Sequence, residues 1–165
     1  MRWPAAVGGV LVAALGVTGL IRGAVAQTPD SGPATSAAPI LVTGAYVRAP
    51  VPPTRVAAAY FTVYNTTGSD IRLVSVITGA GATAVLHTVA ADGSMHAAPS
   101  GTRIPAHGRL VLTTGRAHVM IEHLFGKLVA GQTVNVELEF DAVAPIDVVA
   151  PVVAVGAPVP VGGHS

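Results

Sequence analysis

Thr133–Phe140 reads TVNVELEF. Val134, Val136, Leu138 and Phe140 fall on one side of this stretch; Thr133, Asn135, Glu137 and Glu139 fall on the other. A two-residue period of this kind marks a β-strand with one face in a core and one in water. Ile71–Thr78 (IRLVSVIT) alternates in the same way. Working outward, Ile40–Arg48 (ILVTGAYVR) is a first strand closed by APVPPT, and Arg55–Asn65 (RVAAAYFTVYN) a second closed by NTTGSD. Ala82–Val89 (ATAVLHTV) runs into an Asp92-Gly93 turn, a hairpin signal. Gly108–Thr114, Gly115–Leu124 and Ile146–Val155 complete about eight short strands. Pro151 lacks the N–H a ladder needs, which places it at an edge or a bulge. No stretch has the period of an amphipathic helix. The expected fold is therefore all-β: a Greek-key sandwich or small barrel over residues 40–155.

Composition agrees. The chain has 165 residues, about one domain's worth, with 51% hydrophobic residues, 10% charged, 19 Gly and 13 Pro. A net charge of +1 without a basic patch gives no hold on nucleic acid.

The two ends read differently. Arg2 precedes an apolar run, Pro4–Ile21, and Ala24-Val25-Ala26 forms the small-x-small pattern of a signal-peptidase site. Residues 1–26 are expected to be a signal peptide, with an uncleaved membrane anchor as the other reading of the same run. Removing Arg2 and Arg22 leaves seven basic against eight acidic residues. Residues 27–39, rich in Pro, Ser, Thr and Ala, read as a flexible linker, and residues 156–165 as a disordered tail. The expected location is the periplasm, the cell envelope or outside the cell. Membrane contact is confined to the case in which the N-terminal run is retained.

The chain has no cysteine. Oxidising compartments favour disulfides, so an exported chain without them depends on its core. The absence also excludes thiolate zinc and blue-copper sites, and a lipoprotein signal.

Enzyme chemistry finds little support. There is no Gly-x-Ser-x-Gly elbow and no phosphate-binding glycine loop, and most of the eight acids stand alone. Histidine and methionine are distributed less evenly. Five of the six His lie between His87 and His123, and both Met residues beyond the initiator, Met95 and Met120, lie next to or near a His. His118-Val119-Met120 places an imidazole and a thioether on one face of a strand. Read structurally, this is core filler beside a satisfied polar residue. Read chemically, it is a soft donor pair suited to copper, with His87 from a neighbouring strand as a third ligand. Thioethers hold Cu(I) where cysteines would oxidise.

Tyr46–Val76, with its Tyr-x-Arg start and AAAYFTVYNT strand, resembles the exported copper chaperones of the PCu(A)C family. Leu86-His87, Asp92–Met95, Ile104–Gly108, His118–Met120 and Gly131–Phe140 resemble the rest of its pattern, so the likeness covers residues 40–155. It implies a cupredoxin-like fold binding Cu(I) through two His and two Met. It also implies delivery to an acceptor, such as the CuA centre of an oxidase subunit, or to a second copper chaperone. The sequence departs from the pattern between His87 and His118, where two residues are missing. Counting back from His118 puts His96 at the first Met slot. Aligning the Asp92-Gly93 turn puts Ala97 there, with Met95 two residues earlier on the same face. The expected ligands are His87, Met95, His118 and Met120, with His96 the substitute for Met95. His107 in a turn, His123 on the other strand face and His164 in the tail are expected to stay out of the site. Ala97 and Val89, where the family has or admits Met, motivate a rival reading: a surface β-sandwich interaction module with an eroded metal site.

Overall fold

The computed structural model describes residues 38–159. The signal peptide, most of the linker and the last tail residues read from the sequence lie outside them. Ten strands follow one another: β1 (Ile40–Arg48), β2 (Ala57–Asn65), β3 (Ile71–Thr78), β4 (Gly81–Val89), β5 (Met95–Ala97), β6 (Thr102–Ile104), β7 (Arg109–Val111), β8 (His118–Leu124), β9 (Thr133–Phe140) and β10 (Ile146–Val153). No helix occurs among the described residues, and the all-β expectation holds.

The strands pair in the order β5-β4-β8-β2-β1-β10-β9-β3-β6, with β7 on β2 beside β8. Pairing is antiparallel except at β1–β10, where Val47↔Val152 and Arg48↔Val153 make a short parallel join between two sheets. The inner faces of both sheets meet in one apolar core that includes Leu73, Ile104, Ile121 and Leu138. The alternation in β9 does what its sequence indicates: Val134, Val136, Leu138 and Phe140 are all buried.

Two breaks in alternation matter for what lies outside the core. In β1 the register against β2 shifts between Thr43 and Tyr46, and Gly44 sits at φ 60°. Before this bulge Ile40 and Val42 enter the core; after it Val47 does, so Tyr46 turns to the outer face. At the end of β8, His123 has φ 52°, and the buried series Val119, Ile121 passes to Leu124 rather than to His123.

The strand count exceeds the expected eight because β5 and β6, three residues each, are too short to show a period. The stretch read as Gly108–Thr114 is a strand only at Arg109–Val111. Pro151 corrects the edge assignment, since β10 lies inside the order, between β9 and β1. Val152 donates to Gln132 O at 2.8 Å, so the missing N–H of Pro151, one residue earlier, points away from β9. The pairing with β1 begins only at Val152.

Candidate metal centre

The β4–β8 register sets His87 directly opposite His118. Their flanking residues Leu86, Val119 and Ile121 are buried in the core, which turns His87, His118 and Met120 to the outer face of the sheet. The two imidazoles stack with ring centroids 5.5 Å apart and planes inclined by 20°. His118 Nδ1 lies 3.3 Å from Arg116 O. A carbonyl oxygen only accepts, so this contact places the proton on Nδ1 and leaves the Nε2 lone pair free. His87 Nδ1 is buried and has no hydrogen-bond partner. An unpaired buried polar atom costs about 1–3 kcal/mol, and a metal ion bound there would remove that deficit.

Aromatic rings close the site on its β2 and β1 side. Tyr60 lies 6.2 Å from the His118 ring and stacks on Tyr46 at 5.0 Å. The Arg48 guanidinium covers Tyr46 at 5.2 Å and donates to Ala154 O and Ala157 O, each at 2.7 Å. Tyr60 is buried in this outer row. Sequence reading missed the row because it depends on the β1 bulge and on which strands become neighbours.

The β5 side is open. Ala97 stands opposite His87, His96 opposite Thr88 and Met95 opposite Val89. Met95 therefore shares the face of His87 and His118, one diagonal step away, and is 50% exposed. His96 occupies the other face, where its Nε2 lies 2.7 Å from Ser94 Oγ. Ser94 donates its backbone N–H and its hydroxyl to Asp92 Oδ1, and the hydroxyl first, then the amide, holds the Asp92 carboxyl below its usual range. Elsewhere, His107 is exposed at φ 53° and His123 is exposed beside Thr83 Oγ1. His164 lies outside the described residues.

Among the described residues no three His, Cys, Asp or Glu come together. A metal ion held here would need thioethers beside the two imidazoles, a neutral and soft donor set of the kind copper prefers. A groove of about 640 Å³ lies beyond the far end of β8 between Pro50, Arg55, Leu124 and Leu128, and none of the expected donors lines it.

An outer-face imidazole pair flanked by thioethers on a two-sheet β-domain is a donor set that could hold a soft metal ion. Residues 40–152 match the family described as "Putative lipoprotein LpqE-like". The chain belongs to this family, which is of the PCu(A)C type. It is similar to the "Putative lipoprotein Lxx21020" of Leifsonia xyli subsp. xyli, at 37% identity over 98 residues. That stretch covers 58% of this chain and 59% of the relative, so the likeness spans little more than half of its length. Among solved structures, that of Cu(I)-DR1885 from Deinococcus radiodurans is 35% identical with a TM-score of 0.61, covering 72% of this chain and 80% of that one. The copper-bound PCuAC domain from PmoF2 is 20% identical with a TM-score of 0.62, covering 71% and 94%, and shows the shared fold.

Proposed function

We propose that this chain is an exported copper carrier. It holds one Cu(I) through His87, His118 and Met120, with Met95 as the fourth donor, and passes the ion to an extracytoplasmic acceptor such as an oxidase CuA centre or a second copper chaperone. The observation that carries this reading is the stacked His87–His118 pair with its partnerless buried Nδ1. The solved relative at 35% identity is a Cu(I) form, which supports the same metal. Four neutral donors leave the complex with the charge of the ion alone, and soft thioethers favour Cu(I) over Zn(II). The site lies on an outer sheet face and opens at an exposed edge, as a carrier that must release its cargo requires. Export rests on the N-terminal apolar run and on the word lipoprotein in the names of the family and the relative. This sequence has no cysteine for lipid attachment, so the run itself would direct export.

Competition titration against a Cu(I) chelator and against Zn(II) tests the reading. One Cu(I) per chain with much weaker Zn(II) binding is expected. Met120→Leu conserves volume and should weaken Cu(I) binding about tenfold or more, whereas His123→Ala should leave it unchanged. Absence of copper binding would favour the interaction-module reading, which Ala97 opposite His87 keeps open.

A further inference from the structure

The side of the site facing β5 ends the sheet. In the pairing order β5 is terminal, and all three of its residues are exposed. Ala98 N donates to Leu86 O and Ala90 N to Ser94 O, each at 2.8 Å. Hydrogen-bonded and non-hydrogen-bonded pairs alternate along an antiparallel ladder. The pairs Leu86–Ala98 and Ala90–Ser94 therefore make His87↔Ala97 and Val89↔Met95 the non-hydrogen-bonded ones. The N–H and C=O groups of Met95 and Ala97 then point away from β4, along the free edge.

Side-chain geometry adds the second half. Ala97 presents only a methyl group opposite His87, and Met95 is displaced by one diagonal step from the imidazole pair. The β2 side of the same pair is walled by Tyr60 and Tyr46. A donor from outside thus meets the site over Ala97, and a strand added to β5 would carry its side chain level with Ala97 on the face of His87 and His118.

We propose that the free edge of β5 is the docking line for the copper acceptor, an extended segment bearing a thioether or imidazole level with Ala97. The proposal rests on the copper reading above. Main-chain bonds to Met95 and Ala97 supply register, and the donor supplies the exchange. The incoming sulfur or nitrogen lone pair attaches to Cu(I) as the Met95 thioether leaves with its own lone pair, and each remaining donor departs as a further donor of the acceptor takes its place. Copper stays in one oxidation state throughout, and no proton moves.

The probe is a synthetic peptide, Thr-Val-Thr-Met-Thr-Val-Thr, and its counterpart with norleucine in place of Met. Each is added to the Cu(I)-loaded chain while amide hydrogen exchange is followed residue by residue. The Met peptide should slow exchange at Met95 and Ala97 about tenfold or more and bind about tenfold tighter than the norleucine peptide. Ala97→Pro removes one outward N–H and should weaken peptide binding about tenfold while copper affinity stays within about threefold. Ala97→Met keeps the strand and adds a donor of its own, so it should bind copper more tightly and release it to the peptide about tenfold more slowly. Protection away from β5, equal binding of both peptides, or unaltered release by Ala97→Met would overturn the proposal while copper binding stands. A chain that binds no copper would overturn the carrier reading and this one together.

Discussion

Asn65 is 2% exposed, yet every polar atom of its side chain is engaged. Its Nδ2 donates to Ser69 O, Ile104 O and Pro105 O at 2.8, 3.2 and 3.0 Å, and its Oδ1 accepts from the N–H and hydroxyl of Thr67. One amide thus ties the end of β2 to the turn behind it and to the start of the segment before β7. Asn65→Ala would leave buried carbonyls unpaired, at a cost of about 3 kcal/mol. Denaturant unfolding checks this, with a midpoint shift at unchanged slope as the expected result. His87 is the reverse case, a residue with a buried atom and no partner. The sequence marked both residues, Asn65 as the end of a strand and His87 as a donor. Neither the full satisfaction of the one nor the orphaned nitrogen of the other follows from strand periodicity. Each depends on which distant segments arrive beside it.

At the level of elements, β4 and β8 carry the candidate site, and Gly81 controls how closely they approach. A Cβ at Gly81 would stand 2.5 Å from Glu122 O and 3.0 Å from Ile121 Cγ2. The first of these is backbone and cannot swing aside. Gly81→Ala is expected to destabilise the domain by about 1–3 kcal/mol. It should also weaken copper binding, since it levers β8 from β4 below the His87–His118 pair; thermal unfolding and Cu(I) titration read the two effects separately. The longer strands were legible because half-buried segments such as β9 alternate over eight residues; β3, read as alternating throughout, does so only to Leu73, where a register shift against β9 turns Val76 and Thr78 inward in place of Ser75 and Ile77. Three-residue β5 and β6 offer no such run, and they are recruited by pairing with β4 and β3. The choice between Met95 and His96 was open in the sequence because a two-residue deletion admits two alignments. Register decides which face each takes: Met95 that of His87, His96 the opposite one.

On the scale of the whole molecule, two sheets without a disulfide are held by one apolar core and a few surface ties. Asp70 is one of these: it accepts from Ala106 N at 2.9 Å and pairs with Arg103. The Ala106 amide first, and then Arg103, lower its pKa below the ordinary 3.8. A carboxylate whose folded pKa is depressed adds stability above its unfolded pKa, and that contribution fades as pH falls through the folded value. Unfolding measured between pH 5 and about 2 should therefore show a loss below about pH 4 that is smaller in Asp70→Asn. The fold itself was readable at this scale, since alternation and turn signals sufficed for an all-β sandwich. The aromatic wall was not, because the β1 bulge that turns Tyr46 outward gives no periodic signal. The proposed copper site takes two imidazoles and two thioethers from the outer face of the assembled sheet. X-ray absorption at the copper edge of the Cu(I)-loaded chain tests that most directly. Two nitrogen and two sulfur neighbours are expected, with one sulfur lost in Met120→Leu; one sulfur with three nitrogens, or no sulfur among the nearest neighbours, would contradict the proposed site.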